Sequence, residues 1–273
     1  MFCSRELAGR IERSECDLIR EGVLAASRAG VPARCAEVAG GVSAFAGEGS
    51  PLNKIAGLGF ERTPIESDLA AAEEVAFAAG CPAVAEVSTL AEPGLSETLC
   101  QRGYRAVGVE NVLGRELVPR DAADPDGIVT AEDTGDPGDW IAAVIDGFAA
   151  PDTQGVASHE EFPREVLSRV IGQMVTIPGY HRYGATVDGT LAGGGSARVY
   201  GGVVTLCGAA TRPGYRRRGV QTALLARRLS AMQRAGGDLA VVTVMPGSKS
   251  QENVQKQGFS LLYARNIYLK EPA

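Results

Sequence analysis

The second half of the chain alternates short apolar stretches with segments of helical periodicity. Apolar residues share one helical face over residues 220–235, and Gly236-Gly237 follows as a stop signal. A continuous β-branched run at 239–245 predicts a buried strand. The remaining pattern predicts helices at 139–148, 160–174 and 248–257 and strands at 127–131, 180–187, 191–199, 202–210 and 259–269. This order of elements indicates a mixed α/β fold.

The two halves of the chain resemble each other weakly. Arg102-Gly103-Tyr104 corresponds to Gln257-Gly258-Phe259, and Glu110-Asn111-Val112-Leu113 corresponds to Arg265-Asn266-Ile267-Tyr268, both at an offset of 155 residues. We interpret the similarity as a duplicated domain, with chance similarity between Gly/Ala-rich segments as the alternative. A polar stretch with two prolines separates the halves. We therefore predict domains at 1–118 and 127–273, joined by a linker at 119–126.

Composition narrows the class of protein. A length of 273 residues suits two domains, and 45% hydrophobic with 22% charged residues is typical of a soluble globular chain. No apolar run approaches the ~20 residues that cross a bilayer, and the first residues lack a signal-peptide pattern. We expect a cytoplasmic protein with no membrane partner. Six scattered cysteines and two histidines do not have zinc-ligand spacing, so we expect no metal.

Charge is divided unevenly along the chain. Residues 1–126 hold 12 Lys/Arg and 20 Asp/Glu, whereas residues 127–273 hold 15 and 13. Nucleic-acid binding needs clustered basic residues, and the acidic first half has none, so we expect no nucleic-acid partner. The acidic surface could favour cationic partners, but simple solvation is the plainer interpretation.

A basic segment, Arg216-Arg217-Arg218-Gly219, connects a predicted strand to the helix at 220–235. The first turn of a helix presents unpaired N–H groups and a positive dipole end, and a glycine there lets an anion approach the backbone. A solvated basic run at an ordinary helix start is the alternative. The segment lacks both Gly-x-Gly-x-x-Gly and Gly-x-x-x-x-Gly-Lys-Ser/Thr spacing, which disfavours a domain that binds ATP or NAD.

The segment Arg216-x-x-Gly219-x-Gln221 resembles the cofactor loop of the GNAT superfamily of N-acetyltransferases, although Gln221 replaces the small residue usual at the third fixed position. Ser250-x-x-Asn253 followed by Gly258-Phe259 resembles a later family signature. The resemblance covers residues 127–273. It implies tandem acyl-CoA N-acyltransferase (GNAT-like) domains, each a mixed, mostly antiparallel sheet flanked by helices. It also implies acetyl-CoA or another acyl-CoA as the cofactor.

The resemblance implies where the cofactor lies. Acyl-CoA would occupy a splay between the strand ending at Ala210 and the strand at 239–245, with its pyrophosphate at the helix start. The implied cofactor-binding residues are Ala209, Ala210, Thr211, Arg216, Arg217, Arg218, Gly219, Val220, Gln221, Thr222 and Asn253.

Catalytic roles are harder to assign. The family transfers the acyl group directly to a neutral amine, which needs a base, an oxyanion donor and an acid for the thiolate. The family's usual acid is a tyrosine, and Val254 occupies that position. Tyr263 and Ser250 are the replacement candidates and His181 is a candidate base, with packing as the alternative for Tyr263 and a structural role as the alternative for His181.

The acceptor remains open. His159 lies in a connection that borders the acceptor site in this family, and Trp140 and Phe148 could shape that pocket or fill the core. Small amines, antibiotics, peptide amines and lysine side chains are all compatible acceptors. A non-catalytic CoA-binding or degenerate sensor module is the competing function.

The first half should lack a working cofactor loop. Its counterpart of Gly219 falls on Thr63, and Glu61, Glu66 and Asp68 stand where a diphosphate would lie. Carboxylates there would repel phosphate. We therefore predict a degenerate first domain that does not bind CoA.

Overall fold

The computed structural model describes residues 1–119, 124–133, 135–150, 154, 156 and 162–272. The described residues form seven α-helices: α1 (Arg5–Arg28), α2 (Glu66–Phe77), α3 (Leu95–Gln101), α4 (Gly138–Phe148), α5 (Arg164–Met174), α6 (Val220–Arg234) and α7 (Lys249–Lys256). They also form eleven strands: β1 (Arg34–Val38), β2 (Gly41–Phe45), β3 (Ile55–Ala56), β4 (Ala83–Ser88), β5 (Arg105–Glu116), β6 (Ile128–Glu132), β7 (His181–Val187), β8 (Thr190–Tyr200), β9 (Val203–Thr211), β10 (Leu239–Val244) and β11 (Ser260–Lys270).

The chain divides into two compact units that do not follow sequence order. Unit 1 comprises Met1–Leu113 together with Leu261–Ala273, and unit 2 comprises Gly114–Ser260. The predicted division at 1–118 and 127–273 placed the last strand in the second domain, whereas the structure places it in unit 1. There β11 pairs antiparallel with β4, from Arg265 opposite Ser88 to Lys270 opposite Ala83. Residues 120–123 of the predicted linker lie outside the described residues.

Unit 1 is a sheet of order β1-β2-β3-β4-β11-β5 with helices on both faces. The Ser4 hydroxyl accepts from the Leu7 N–H at 3.1 Å and so begins α1. Adjacent residues of β2 point to opposite faces: Val42 packs in a cluster with α1 residues, while the Ser43 hydroxyl donates to the Ala72 carbonyl of α2. The sheet is therefore covered on both sides.

A buried ionic network joins β11 to the rest of unit 1. The Arg265 side chain is 2% exposed and donates to Glu12 at 2.8 Å and to Glu110 at 3.0 Å. Lys54 pairs with Glu86 at 2.5 Å in the same network. Burial and the neighbouring Glu86 raise the pKa of Glu110 to about 7. Because a buried charge without a partner is strongly unfavourable, these pairs tie β11 to its neighbours in unit 1.

Unit 2 is a sheet of order β10-β9-β8-β7-β6, antiparallel except where β9 meets β10. Three glycines in β8 let elements from both faces approach its backbone. A Cβ added at Gly194 would lie 2.6 Å from Trp140 of α4, and one at Gly195 would lie 3.0 Å from Arg228 of α6. Since neighbouring strand residues point to opposite faces, α4 and α6 cover opposite sides of the sheet.

The order of elements repeats along the chain, as the sequence similarity predicted. The series β1, β2, β3, α2, β4, α3, β5 recurs as β7, β8, β9, α6, β10, α7, β11. The parallel contact recurs too: β3 meets β4 at Ile55 and Ala85, as β9 meets β10. Both repeats end their last helix at a left-handed glycine, Gly103 (φ +94°) and Gly258 (φ +82°). The predicted mixed, mostly antiparallel fold is confirmed.

Candidate functional site

A cleft opens in the sheet of unit 2 where β9 and β10 separate. The two strands pair in parallel only from Val203 opposite Leu239 to Thr205 opposite Val241. Beyond that point β9 continues to Thr211 and β10 to Val244 without pairing to each other. Beyond Thr205 the facing edges of the two strands therefore do not pair with each other, which is the arrangement that the predicted splay requires.

A β-bulge interrupts β9 beside this cleft. Ser196 of β8 is opposite Cys207, but Gly194 is opposite Ala210, so two residues of β9, Gly208 and Ala209, face the single residue between them. Gly208 has φ +59°, a left-handed conformation that favours glycine. A bulge at this point turns backbone groups away from the regular ladder.

The far end of the cleft is the start of α6. Gly219 forms the N-cap with φ +86° and no side-chain capping bond. The first N–H groups of a helix have no partner within it, and the dipole makes this end positive. Arg217, also left-handed at φ +62°, lies two residues earlier. This is a local geometry suited to a phosphate group.

The three consecutive arginines have different surroundings. Arg216 donates to the carbonyl oxygens of Gly147, at 2.9 Å, and Ala150, at the C-terminal end of α4. Arg218 pairs with Asp188 at 3.0 Å and lies over the Tyr215 ring. Arg217 is exposed, and among the described residues no hydrogen bond or ion pair engages its guanidinium. Arg216 thus bonds the loop to the end of α4, whereas the Arg217 guanidinium has no protein partner among the described residues.

Gln221, the residue that departs from the family pattern, has a partner on β9. Its side-chain amide donates to the Thr211 hydroxyl at 3.0 Å, and Thr211 is buried. The larger residue therefore ties the first turn of α6 to the end of β9. Its backbone N–H remains part of the first turn.

Residues 141–259 match the model of the Acetyltransferase (GNAT) family. This part of the chain is a GNAT domain. A search of the curated proteins finds no match.

Solved structures share the fold over most of the chain. A GCN5-related N-acetyltransferase from Kribbella flavida superposes with a TM-score of 0.64 at 16% identity, covering 94% of this chain and 95% of that one. A tandem GNAT protein from the clavulanic acid biosynthesis pathway, without AcCoA, superposes with a TM-score of 0.60 at 15% identity, covering 85% and 78%. The resemblance predicted from the loop is confirmed at the level of family and fold.

The candidate base of the GNAT domain has an acidic partner. The His181 Nδ1 lies 2.7 Å from a Glu132 carboxylate oxygen, and both side chains are about two-fifths exposed, 39% and 42%. His181 is opposite Ala197 of β8, which is opposite Leu206 of β9. Two strand spacings, about 10 Å, therefore separate His181 from the cleft strand.

The residues predicted on α7 occupy its surface. Ser250 is exposed and Asn253 is half-buried. Val254, in the position of the family's tyrosine, is 8% exposed and is the buried residue of the helix. The GNAT domain therefore has an apolar contact where the family usually has a phenol.

Tyr263 belongs to unit 1 and not to the GNAT domain. Its ring is 4% exposed, and its hydroxyl donates to Glu12 at 2.7 Å beside Arg265. Burial raises the pKa of this phenol well above its ordinary value. The hydroxyl is thus engaged in the buried ionic network, and we do not propose Tyr263 as the acid.

The aromatic residues of α4 divide between core and surface. Trp140 is 1% exposed and its indole N–H donates to the Tyr183 carbonyl at 2.9 Å. Phe148 is 41% exposed at the end of the helix. His159 lies outside the described residues. Trp140 is therefore a core residue, and Phe148 is the one that solvent can reach.

A polar cluster at the bulge escaped the sequence analysis. The Ser196 Oγ lies 2.6 Å from the Tyr180 hydroxyl and 2.8 Å from the Cys207 carbonyl oxygen. A Cβ added at Gly208 would lie 3.0 Å from the Ser196 Oγ. The three residues come from three separate segments, so no local pattern could have indicated that they meet.

An open groove of about 770 Å³ lies between α4 and α5. It is lined by Gly138, Ile141, Ala142, Ile145, Arg164, Glu165, Ser168 and Arg169. None of these residues belongs to the cleft between β9 and β10, so we do not assign the groove to acyl-CoA.

Unit 1 has a counterpart of the α6 start that is already occupied. At the start of α2 the Asp68 carboxylate accepts from the Ile65 N–H at 2.9 Å and pairs with Arg62 at 2.5 Å. These contacts lower the pKa of Asp68 to about 2. An internal carboxylate therefore lies at this helix start and accepts from the N–H of its N-cap residue.

In the part of the chain that the structure describes, none of the helices has the length and apolar character that a membrane span requires. Within the same residues, no group of three or more His, Cys, Asp or Glu side chains is arranged to hold a metal ion.

Proposed function

We propose that the GNAT domain binds acyl-CoA in the cleft between β9 and β10 and transfers its acyl group to an amine. The observation that carries the proposal is the continuity of the cleft with the α6 start, where Gly219 leaves the helix without a side-chain cap. An extended chain with amide groups can add to the open strand edge, and a diphosphate can accept from the first helical turn.

Each part of acyl-CoA has a proposed set of contacts. The backbone of Ala209, Ala210 and Thr211 would pair with the pantetheine arm. The N–H groups of Val220, Gln221 and Thr222 and the free Arg217 would hold the pyrophosphate. Acyl-CoA supplies the activated thioester carbonyl.

The reaction itself is a direct substitution. The neutral amine nitrogen forms a bond to the acyl carbon and the carbon–sulfur bond breaks. The nitrogen gives up a second proton to become the amide, the sulfur takes up a proton, and CoA leaves as the thiol. An alkylammonium, with a pKa of about 10, must first lose a proton to become a nucleophile. His181 with Glu132 is our proposed acceptor of that proton, and its distance of about 10 Å from β9 requires a water-mediated path. The exposed Ser250 hydroxyl is our proposed proton donor to the thiolate, and Asn253 a proposed cofactor contact.

A second candidate function is CoA binding without transfer. The buried Val254 favours it, because an apolar side chain cannot supply the proton that the family's tyrosine gives to the thiolate.

Calorimetry and thiol release together test both functions. We expect acetyl-CoA to bind with one site per chain, and a broad amine panel to accelerate thiol release. Binding without release on any amine would favour the second candidate. Absence of acetyl-CoA binding would overturn both.

The same titration tests the proposal that unit 1 is degenerate. Asp68 and Arg62 already fill the start of α2, so a second site is not expected. Two acetyl-CoA molecules per chain would contradict it.

A further inference from the structure

The cluster at the bulge has a defined hydrogen-bond direction. A carbonyl oxygen only accepts, so the Ser196 hydroxyl donates to the Cys207 carbonyl at 2.8 Å. A hydroxyl carries one proton, and the 2.6 Å contact must therefore be a donation from Tyr180 to the Ser196 Oγ. Burial raises the pKa of Tyr180 well above its ordinary value, so the phenol keeps the proton it donates.

The cluster is rigidly placed. Ser196 is fully buried on β8, and its own carbonyl accepts from the buried Arg228 at 3.1 Å. Tyr180 is fixed by its backbone N–H, which donates to the Ile177 carbonyl at 3.1 Å. A chain of hydroxyls held at both ends can fix the orientation of the peptide it contacts.

That peptide joins Cys207 to Gly208. Its C=O and N–H point in opposite directions because the peptide is planar and trans. The C=O points toward β8, where Ser196 holds it, so the Gly208 N–H points to the other side of β9. On that side the pairing of β9 with β10 has already ended at Thr205. The Gly208 N–H therefore points away from Ser196, toward the side of β9 on which β10 lies.

We propose that Ser196 and Tyr180 are positioning residues that aim the Gly208 N–H at the acyl oxygen of bound acyl-CoA. The inference rests on the proposed function. When the amine attacks, the acyl oxygen gains negative charge, and an N–H already pointing at it stabilises that charge without rearranging. Neither side chain touches the substrate, because both act through the peptide.

The acyl carbonyl itself can report the effect. Isotope-edited infrared difference spectra of acetyl-CoA labelled with ¹³C at the carbonyl, bound to the full chain, should show a lower stretching frequency than free acetyl-CoA. In Ser196→Ala we expect the frequency to return toward the free value. We expect turnover to fall about 10-fold, less than the roughly 10²–10³-fold that follows loss of a whole oxyanion donor. Affinity for acetyl-CoA should stay within about 2-fold, since the α6 contacts remain.

Two further variants isolate the cause. Ser230→Ala is the matched control, because Ser230 is a buried serine of α6 whose Oγ accepts from Arg234 of the same helix. It should leave frequency and turnover unchanged. Tyr180→Phe removes only the distal hydroxyl. It should shift the carbonyl stretching frequency and turnover in the same direction as Ser196→Ala, but by a smaller amount.

Unchanged frequency and turnover in a folded Ser196→Ala would overturn the inference. If that variant fails to fold, Tyr180→Phe decides: wild-type values in it overturn the inference equally. Failure of the proposed function is a separate result, because the wild-type chain would then either not bind acetyl-CoA or bind it without releasing thiol on any amine.

Discussion

The arginines of the α6 loop illustrate how adjacent identical residues differ in available charge. Arg216 is bonded to the end of α4 and Arg218 to Asp188, whereas Arg217 is exposed and unengaged among the described residues. A guanidinium that already satisfies protein acceptors has fewer donors to offer a phosphate. Arg217 is therefore the residue whose charge we expect a ligand to use.

Substitution of Arg217 tests this division. Arg217→Ala should weaken acetyl-CoA binding about 10-fold, the equivalent of ~1.4 kcal/mol, as expected for loss of a charge-assisted hydrogen bond. Arg218→Ala removes the same charge from the same loop and should weaken binding less than about 3-fold. Calorimetry measures both. Equal losses of acetyl-CoA affinity in the two variants would contradict this division, because they would mean that binding depends only on the total charge of the loop.

The sequence predicts the loop well because its geometry is local. A helix start, a glycine and a basic run lie within seven residues, so their spacing alone was enough to propose the loop as a phosphate site. The cluster of Ser196, Tyr180 and Cys207 could not be read this way, since its members meet only when β8 and β9 pair around a bulge. The role of Arg216 was equally hidden, because its acceptors lie on α4.

At the scale of elements, the two helix starts that correspond in the repeat have opposite properties. The start of α6 is an uncapped glycine beside a free arginine, and the start of α2 is closed by Asp68 and Arg62. In α2 an internal carboxylate thus lies at the helix start, where we propose that α6 binds an external anion, and it stabilises the N-terminus of its own helix.

The stabilisation from Asp68 should depend on pH. Its folded pKa is about 2, below the ordinary 3.8, so the contribution is complete above pH 3.8 and is lost as pH falls toward 2. We expect Asp68→Asn to lower the midpoint of urea unfolding at pH 7 and to differ less from the wild type at pH 3. Glu74→Gln, an exposed carboxylate of the same helix, is the control. A difference between Asp68→Asn and the wild type that is constant from pH 7 to pH 3 would contradict this interpretation.

At the scale of the whole molecule, the sequence predicts each element of the second half within a few residues but groups the last strand with the second domain, whereas that strand pairs with β4 of unit 1. Periodicity reports that residues 259–269 form a strand; it does not report which strand lies beside it. The deciding interactions are non-local, since Arg265 is 253 residues from Glu12 in the chain.

The ionic network predicts how the stability of unit 1 changes when Arg265 of β11 is replaced. Arg265→Met would leave the buried Glu12 and partly buried Glu110 without the guanidinium that pairs with them, and we expect a loss of about 3–5 kcal/mol in the free energy of unfolding. Circular dichroism during chemical unfolding measures it. Arg105→Met removes an exposed arginine of β5 and should change stability little. Wild-type stability in Arg265→Met would show that the network does not hold β11.

The position of β11 at the end of the sequence also determines when unit 1 can be completed during translation. The strand that completes unit 1 is encoded after all of unit 2, so a ribosome must translate the GNAT domain before the first unit has its full sheet. During that interval the edges of β4 and β5 lack their native partner and are open to other strands. Nascent unit 1 is therefore the stage of biosynthesis at which we expect chaperones to be most needed.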